Sequence, residues 1–97
     1  MLKVEVDSYE DIVSFMRDSK EDFFVAIINA IKLGWKEKIT PVPVAEFLIN
    51  DSGEIFTIDI MEEDWSESLG YALSHYEEVE DYERCSELKT MIDEMYS

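Results

Sequence analysis

Residues 44–49 and 55–60 are two short apolar runs rich in β-branched and aromatic side chains, and Asn50-Asp51-Ser52-Gly53 stands between them. That spacing constrains the fold more than any other feature. Two strand-like runs joined by turn chemistry, with Gly53 free to take positive φ, predict an antiparallel hairpin. Pro41 and Pro43 forbid regular structure just before it.

The flanking segments attach helices to this hairpin. Leu2, Val4 and Val6 alternate with Lys3 and Glu5, the period of a half-buried strand. Ser8-Tyr9-Glu10-Asp11 reads as a capping box opening a helix with Ile12, Phe15 and Met16 on its apolar side. Ser19-Lys20-Glu21-Asp22 repeats the signal, so that helix ends near Asp18 and a second carries Phe23, Phe24, Ile27, Ile28 and Ile31. Gly34 is expected as its C-cap, with Lys32, Lys36 and Lys38 at the negative end of its dipole. Asp64-Trp65-Ser66-Glu67 is a third capping box. Trp65, Leu69, Ala72, Leu73, Tyr76 and Val79 follow at helical spacing, and a last helix over 82–96 buries Cys85, Leu88, Ile92 and Met95. The expected fold is α+β in the order β-α-α-β-β-α-α. A small antiparallel sheet, the N-terminal strand plus the hairpin, packs against four helices in one domain spanning 1–97.

Charge sets the functional class. The 97 residues include 24 Asp or Glu against eight Lys or Arg, a net charge of −16, while hydrophobic residues still make up 46%. The chain should therefore fold rather than stay disordered. A small soluble domain needs a net charge of only about 2–8 in magnitude, so the surplus calls for a cationic partner or a broadly acidic setting. Duplex DNA carries roughly one charge per 1.7 Å, so sixteen charges match about 27 Å of duplex. A compact chain of this length, with a radius of gyration of about 12–13 Å, is expected to be roughly 30–35 Å long. Charge of this sign opposes direct binding to nucleic acid and favours a basic, nucleic-acid-binding protein as partner. It is uneven: residues 62–97 hold twelve acids against Arg84 and Lys89, a net of −10, and residues 1–61 a net of −6.

The run Asp81-Tyr82-Glu83, Cys85-Ser86, Glu87-Leu88-Lys89 and Ile92 resembles the UVR motif, the short antiparallel helical hairpin of UvrB-type repair proteins and some stress-response adaptors. The resemblance covers residues 72–96, with Cys85-Ser86 in place of the usual alanine pair. It implies a protein–protein docking hairpin whose helices are packed together by Tyr82 and Leu88. By size, charge, lone cysteine and layout, the chain is also similar in type to small acidic phage and mobile-element proteins that imitate DNA against restriction and other defences.

Groups for chemistry are sparse. His75, the only histidine, sits mid-helix as a surface or boundary residue, and Cys85, the only cysteine, lies on an apolar stripe as a small core hydrophobe. One His and one Cys cannot build a structural zinc site, and 51–54 lacks the ligand alternation of a calcium loop. No catalytic residue, cofactor or metal is expected. Lys32, Trp35, Lys36 and Lys38 answer the helix dipole rather than nucleic acid. A lone cysteine suits a reducing compartment, and neither a signal-like start nor a membrane span is present in the sequence, so a cytoplasmic location is expected.

These observations point to an inhibitory acidic protein that covers the basic site of a nucleic-acid-binding partner. The expected contact set is Glu62, Glu63, Asp64 and Glu67 at one helix start, with Glu77, Glu78, Glu80, Asp81, Glu83 and Glu87 around the hairpin turn. An immunity protein against a nuclease toxin would use the same physics. An adaptor docking through apolar contacts of the hairpin is the alternative, and a homodimer with paired hairpins is compatible with either.

Overall fold

The computed structural model describes residues 1–96, in the order β1 (Leu2–Val6), α1 (Tyr9–Asp18), α2 (Lys20–Glu37), β2 (Val42–Ile49), β3 (Glu54–Ile60), a 3-10 turn (Glu62–Asp64), α3 (Trp65–Glu78) and α4 (Tyr82–Tyr96). The α+β class and the order of elements are as expected. The sheet, however, is mixed. β2 is its middle strand, antiparallel to β3 but parallel to β1. A parallel pair needs a long crossover. Here α1 and α2 supply it: the eighteen residues of α2 span about 27 Å and carry the chain back to the end where β1 began.

Register places Leu2, Val4 and Val6 on the same sheet face as Ala45, Phe47 and Ile49, and as Phe56 and Ile58. That face meets the helices through Ile12, Phe15, Ile27, Ile31 and Leu69. The other face carries Lys3, Glu5, Glu46, Leu48, Ile55, Thr57 and Asp59. Of these, all but Glu46 are exposed. Two layers explain the slab shape, 45 × 31 × 16 Å, and a long axis beyond the 30–35 Å of a rounder domain.

Local signals mostly hold. Asp11 accepts the Ser8 N–H at 3.2 Å, closing the first cap, and the chain breaks at Ser19. Gly53 has φ 73° in the hairpin turn. Pro43 does not end the strand: β2 starts at Val42, and the register shifts between Pro43 and Ala45, a bulge that tolerates a residue without an N–H. Asp64 closes a 3-10 turn and its side chain makes no cap hydrogen bond, so the third capping box is absent although α3 begins where expected.

Gly34 is not a C-cap. α2 runs on to Glu37, and left-handed Lys38 (φ 58°) ends it, while the Ile39 N–H donates to the Gly34 carbonyl at 3.0 Å. Gly34 is buried where α2 crosses β2 and α3. A Cβ there would press on Val42 Cγ1 and lie 2.7 Å from Trp65 Cζ2 and 2.9 Å from the Ile39 carbonyl. Trp65, 3% exposed, donates its indole N–H to the Ile60 carbonyl at 3.4 Å and so ties α3 to the end of β3.

The helical hairpin packs through a different aromatic from the one the UVR resemblance implies. Leu88 is buried, but Tyr82 is 66% exposed, and Tyr76 is the fully buried ring. Tyr76 donates to Glu21 Oε1 at 3.3 Å. Burial first, and the Glu21 charge second, push its phenol above the ordinary value, while Arg84 pulls the other way. A raised value favours the protonated form in the native state. The stabilisation is therefore intact below about pH 10 and is lost as pH rises through the raised value. Urea unfolding at pH 8 and pH 11 is expected to show a smaller alkaline loss for Tyr76→Phe than for the wild type. Equal losses would place the alkaline sensitivity elsewhere.

Candidate functional site: the tip of the α3–α4 hairpin

The turn between α3 and α4 is built by main-chain bonds. The Glu80 N–H donates to the Glu77 carbonyl at 3.2 Å and the Asp81 N–H to the Tyr76 carbonyl at 2.8 Å, with Glu80 itself left-handed at φ 60°. This is a Schellman ending, whose left-handed position glycine usually fills. A residue with a Cβ costs about 1–2 kcal/mol there. Glu80→Gly is expected to stabilise the fold by about 1 kcal/mol, read as a higher urea midpoint. No gain would remove the left-handed turn from the account.

Asp81 is committed internally. Its Oδ1 accepts the Arg84 N–H at 3.2 Å, capping α4, and its Oδ2 lies 3.4 Å from Arg84 Nε. It is therefore part of the turn's own framework. Glu77, Glu78, Glu80 and Glu83 are exposed, and among the described residues none lies within ion-pair distance of a cation. Val79 and Tyr82, 55% and 66% exposed, stand among them. The tip therefore offers two apolar knobs ringed by four free carboxylates.

The remaining acids lie elsewhere. Glu62, Glu63, Asp64 and Glu67 gather at the start of α3, about 20 Å from the tip by the length of that helix. There Glu67 accepts the Tyr71 hydroxyl at 2.9 Å, which holds that phenol's pKa up. Tyr96 at the end of α4 returns to this region, its phenol raised first by burial and then by the Glu62 charge. Glu87 lines a groove between α4 and α2 that Lys32 and Arg84 also line. The ten residues thus form two clusters with Glu87 apart from both.

No protein-family model matches the chain, and no curated protein or solved structure matches it either.

Glu21, on α2, was not legible as part of this region. It lies 3.3 Å from His75 Nε2, 3.3 Å from the Tyr76 hydroxyl and 3.7 Å from Arg84 Nε. The His75 ring stacks on Phe24 at 4.8 Å, and the Arg84 guanidinium sits over the Tyr76 ring at 5.4 Å. More than fifty residues separate Glu21 from these partners, so no local pattern announces the contact. The cluster anchors the hairpin to α2 and holds the tip's base in place. Cys85 is buried in the hairpin core.

The long axis lowers the overall charge density to one net charge per about 2.8 Å, sparser than duplex DNA. The α3–α4 hairpin itself holds nine acids against Arg84 and Lys89, seven net charges along the roughly 22 Å of α4 or one per about 3 Å, and the 3-10 turn at its base adds Glu62, Glu63 and Asp64.

Proposed function

We propose that this chain is a non-catalytic acidic binding protein whose hairpin tip occupies a basic site on a partner protein. Its most concrete form is inhibition by DNA mimicry, in which the carboxylates take the place of backbone phosphates in the nucleic-acid-binding site of a host defence nuclease. An immunity protein against a nuclease toxin would be the same device. The observation that carries this reading is the set of Glu77, Glu78, Glu80 and Glu83 gathered at the hairpin tip, exposed and, among the described residues, without a cation in ion-pair distance. Attraction between such a surface and a basic groove speeds encounter and weakens with salt.

A second reading has its own support. Exposed Val79 and Tyr82 at the same tip suit an adaptor that docks through apolar contacts, the carboxylates setting orientation. Retention on the immobilised chain from nuclease-treated lysate separates the two. Under mimicry, the partner elutes at moderate salt and is displaced by added duplex DNA. A partner that stays bound at about 0.5 M salt, ignores DNA and is lost with Tyr82→Ala belongs to the adaptor.

A further inference from the structure

β1 is an edge strand with one open side. The Asn50 N–H donates to the Val6 carbonyl at 2.8 Å, so Val6 turns its main-chain groups toward β2. By the alternation of a strand, Val4 and Leu2 do the same, while Lys3 and Glu5 point theirs to the open edge. Natural edges are blunted by shortness, charged side chains (Lys above all), proline, a bulge, inward charge or a covering segment. Among the described residues the five-residue β1 has no proline, bulge or inward charge; its charges are Lys3 and Glu5, of opposite sign and facing outward on the bare face of the sheet.

Beside this edge runs a groove of about 540 Å³, mostly apolar, between the start of β1 and α2. Leu2, Val25 and Ala26 are half-buried along it, and Met1 and Leu33 are 60% and 51% exposed. A further strand laid on β1 would find main-chain partners at Lys3 and Glu5 and, at the start of β1, the apolar side chains of this groove.

The sequence of β1 says which strand. Set antiparallel to itself about Val4, Leu2-Lys3-Val4-Glu5-Val6 brings Leu2 opposite Val6 and Val4 opposite Val4 on the core face. On the outer face it brings Lys3 opposite Glu5, twice. The two residues with free main-chain groups are thereby the two that form opposite-charge pairs. A two-fold interface needs this kind of self-complementarity. We propose that the β1 edge is the seam of a homodimer, in which β1 of two copies pair antiparallel about Val4 and extend the sheet to six strands. None of the tip carboxylates lines this groove, so the dimer stands or falls independently of the function proposed for the tip.

Sedimentation of the full chain from about 10 to 500 µM at roughly 0.15 M salt tests it, with circular dichroism to verify folding. The expected result is a species of twice 11.4 kDa that grows with concentration. Lys3→Glu, an exposed change, sets like charges opposite each other at both pairs and should weaken the dimer roughly tenfold. Adding Glu5→Lys in the same chain should restore it. Slowed exchange of the Lys3 and Glu5 amides on dimerisation would identify the strand. A chain that stays monomeric throughout overturns the proposal, as does a dimer indifferent to Lys3→Glu or one the double swap fails to rescue.

Discussion

Changing Glu77, Glu78, Glu80 and Glu83 together to Lys is expected to slow capture of the partner by about 10- to 1,000-fold at low salt while the fold survives. The substitutions move the net charge by eight units, from −16 to −8, and concentrate the change at one end of the hairpin. The fold should tolerate them because none of the four carboxylates is hydrogen-bonded or ion-paired within the described residues. Glu77 and Glu78 sit at the negative end of the α3 dipole, where Lys is the better residue. Glu83 in the first turn of α4 gives back only about 0.3–1 kcal/mol. Asp81→Lys is the contrasting control, since it removes the α4 cap and should cost about 0.5–2 kcal/mol. Association rates by surface plasmon resonance and thermal melting measure both sides. An unchanged association rate in the fourfold variant would remove the tip from the function.

Gly34→Ala carries the largest expected loss of stability. In an exposed helix this exchange gains about 1 kcal/mol, because alanine is the better helix former. Here the added methyl meets Val42, Trp65 and the Ile39 carbonyl, two buried side chains and a main-chain atom, none a flexible tip that swings aside. Overpacking of this kind costs about 1–3 kcal/mol, and three contacts at once place Gly34→Ala at the upper end, which leaves a net loss of about 2 kcal/mol once the propensity gain is subtracted. The melting temperature should fall by roughly 8–16 °C. A neutral or stabilised variant would mean that α2 and Trp65 do not approach as described. Lys38→Gly separates this from a capping role, since a gain is expected only if the left-handed residue is Lys38.

The elements legible from the chain are those that local signals determine. The Ser8 capping box opens α1 and the chain breaks at Ser19, though the Ser19 side chain makes no cap hydrogen bond; the Asn50–Gly53 turn fixes the hairpin, and the Cys85, Leu88 and Ile92 spacing draws α4 from Tyr82 to Tyr96. Strand direction was not legible, because it depends on how far α1 and α2 carry the chain, which periodicity does not encode. Gly34 misled for a related reason: glycine serves left-handed turns and close approaches alike, and only the neighbours, Val42 and Trp65, distinguish the two. At the tip, the acids were visible as a run of letters. Their division was not, because Asp81 as cap and Glu87 beside Lys32 follow from a turn and a groove. Tyr82, which the UVR resemblance places in the packing, stands on the rim instead, and Tyr76 of the α3 stripe supplies the buried ring.

The mixed sheet also sets an order of assembly. Residues paired between β2 and β3 are as little as five positions apart, as with Ile49 and Glu54, whereas every β1–β2 pair is separated by 43, from Leu2 and Ala45 to Val6 and Ile49. Closing a short turn fixes few residues, while the long closure must order the whole α1–α2 crossover before its contacts hold. The β2–β3 ribbon and the α3–α4 pair are therefore the early structures, and β1 is the late arrival that completes the core. Folding rate should be governed by that one junction, and substitutions within α4, already formed when it closes, should act chiefly on the folding rate rather than on unfolding.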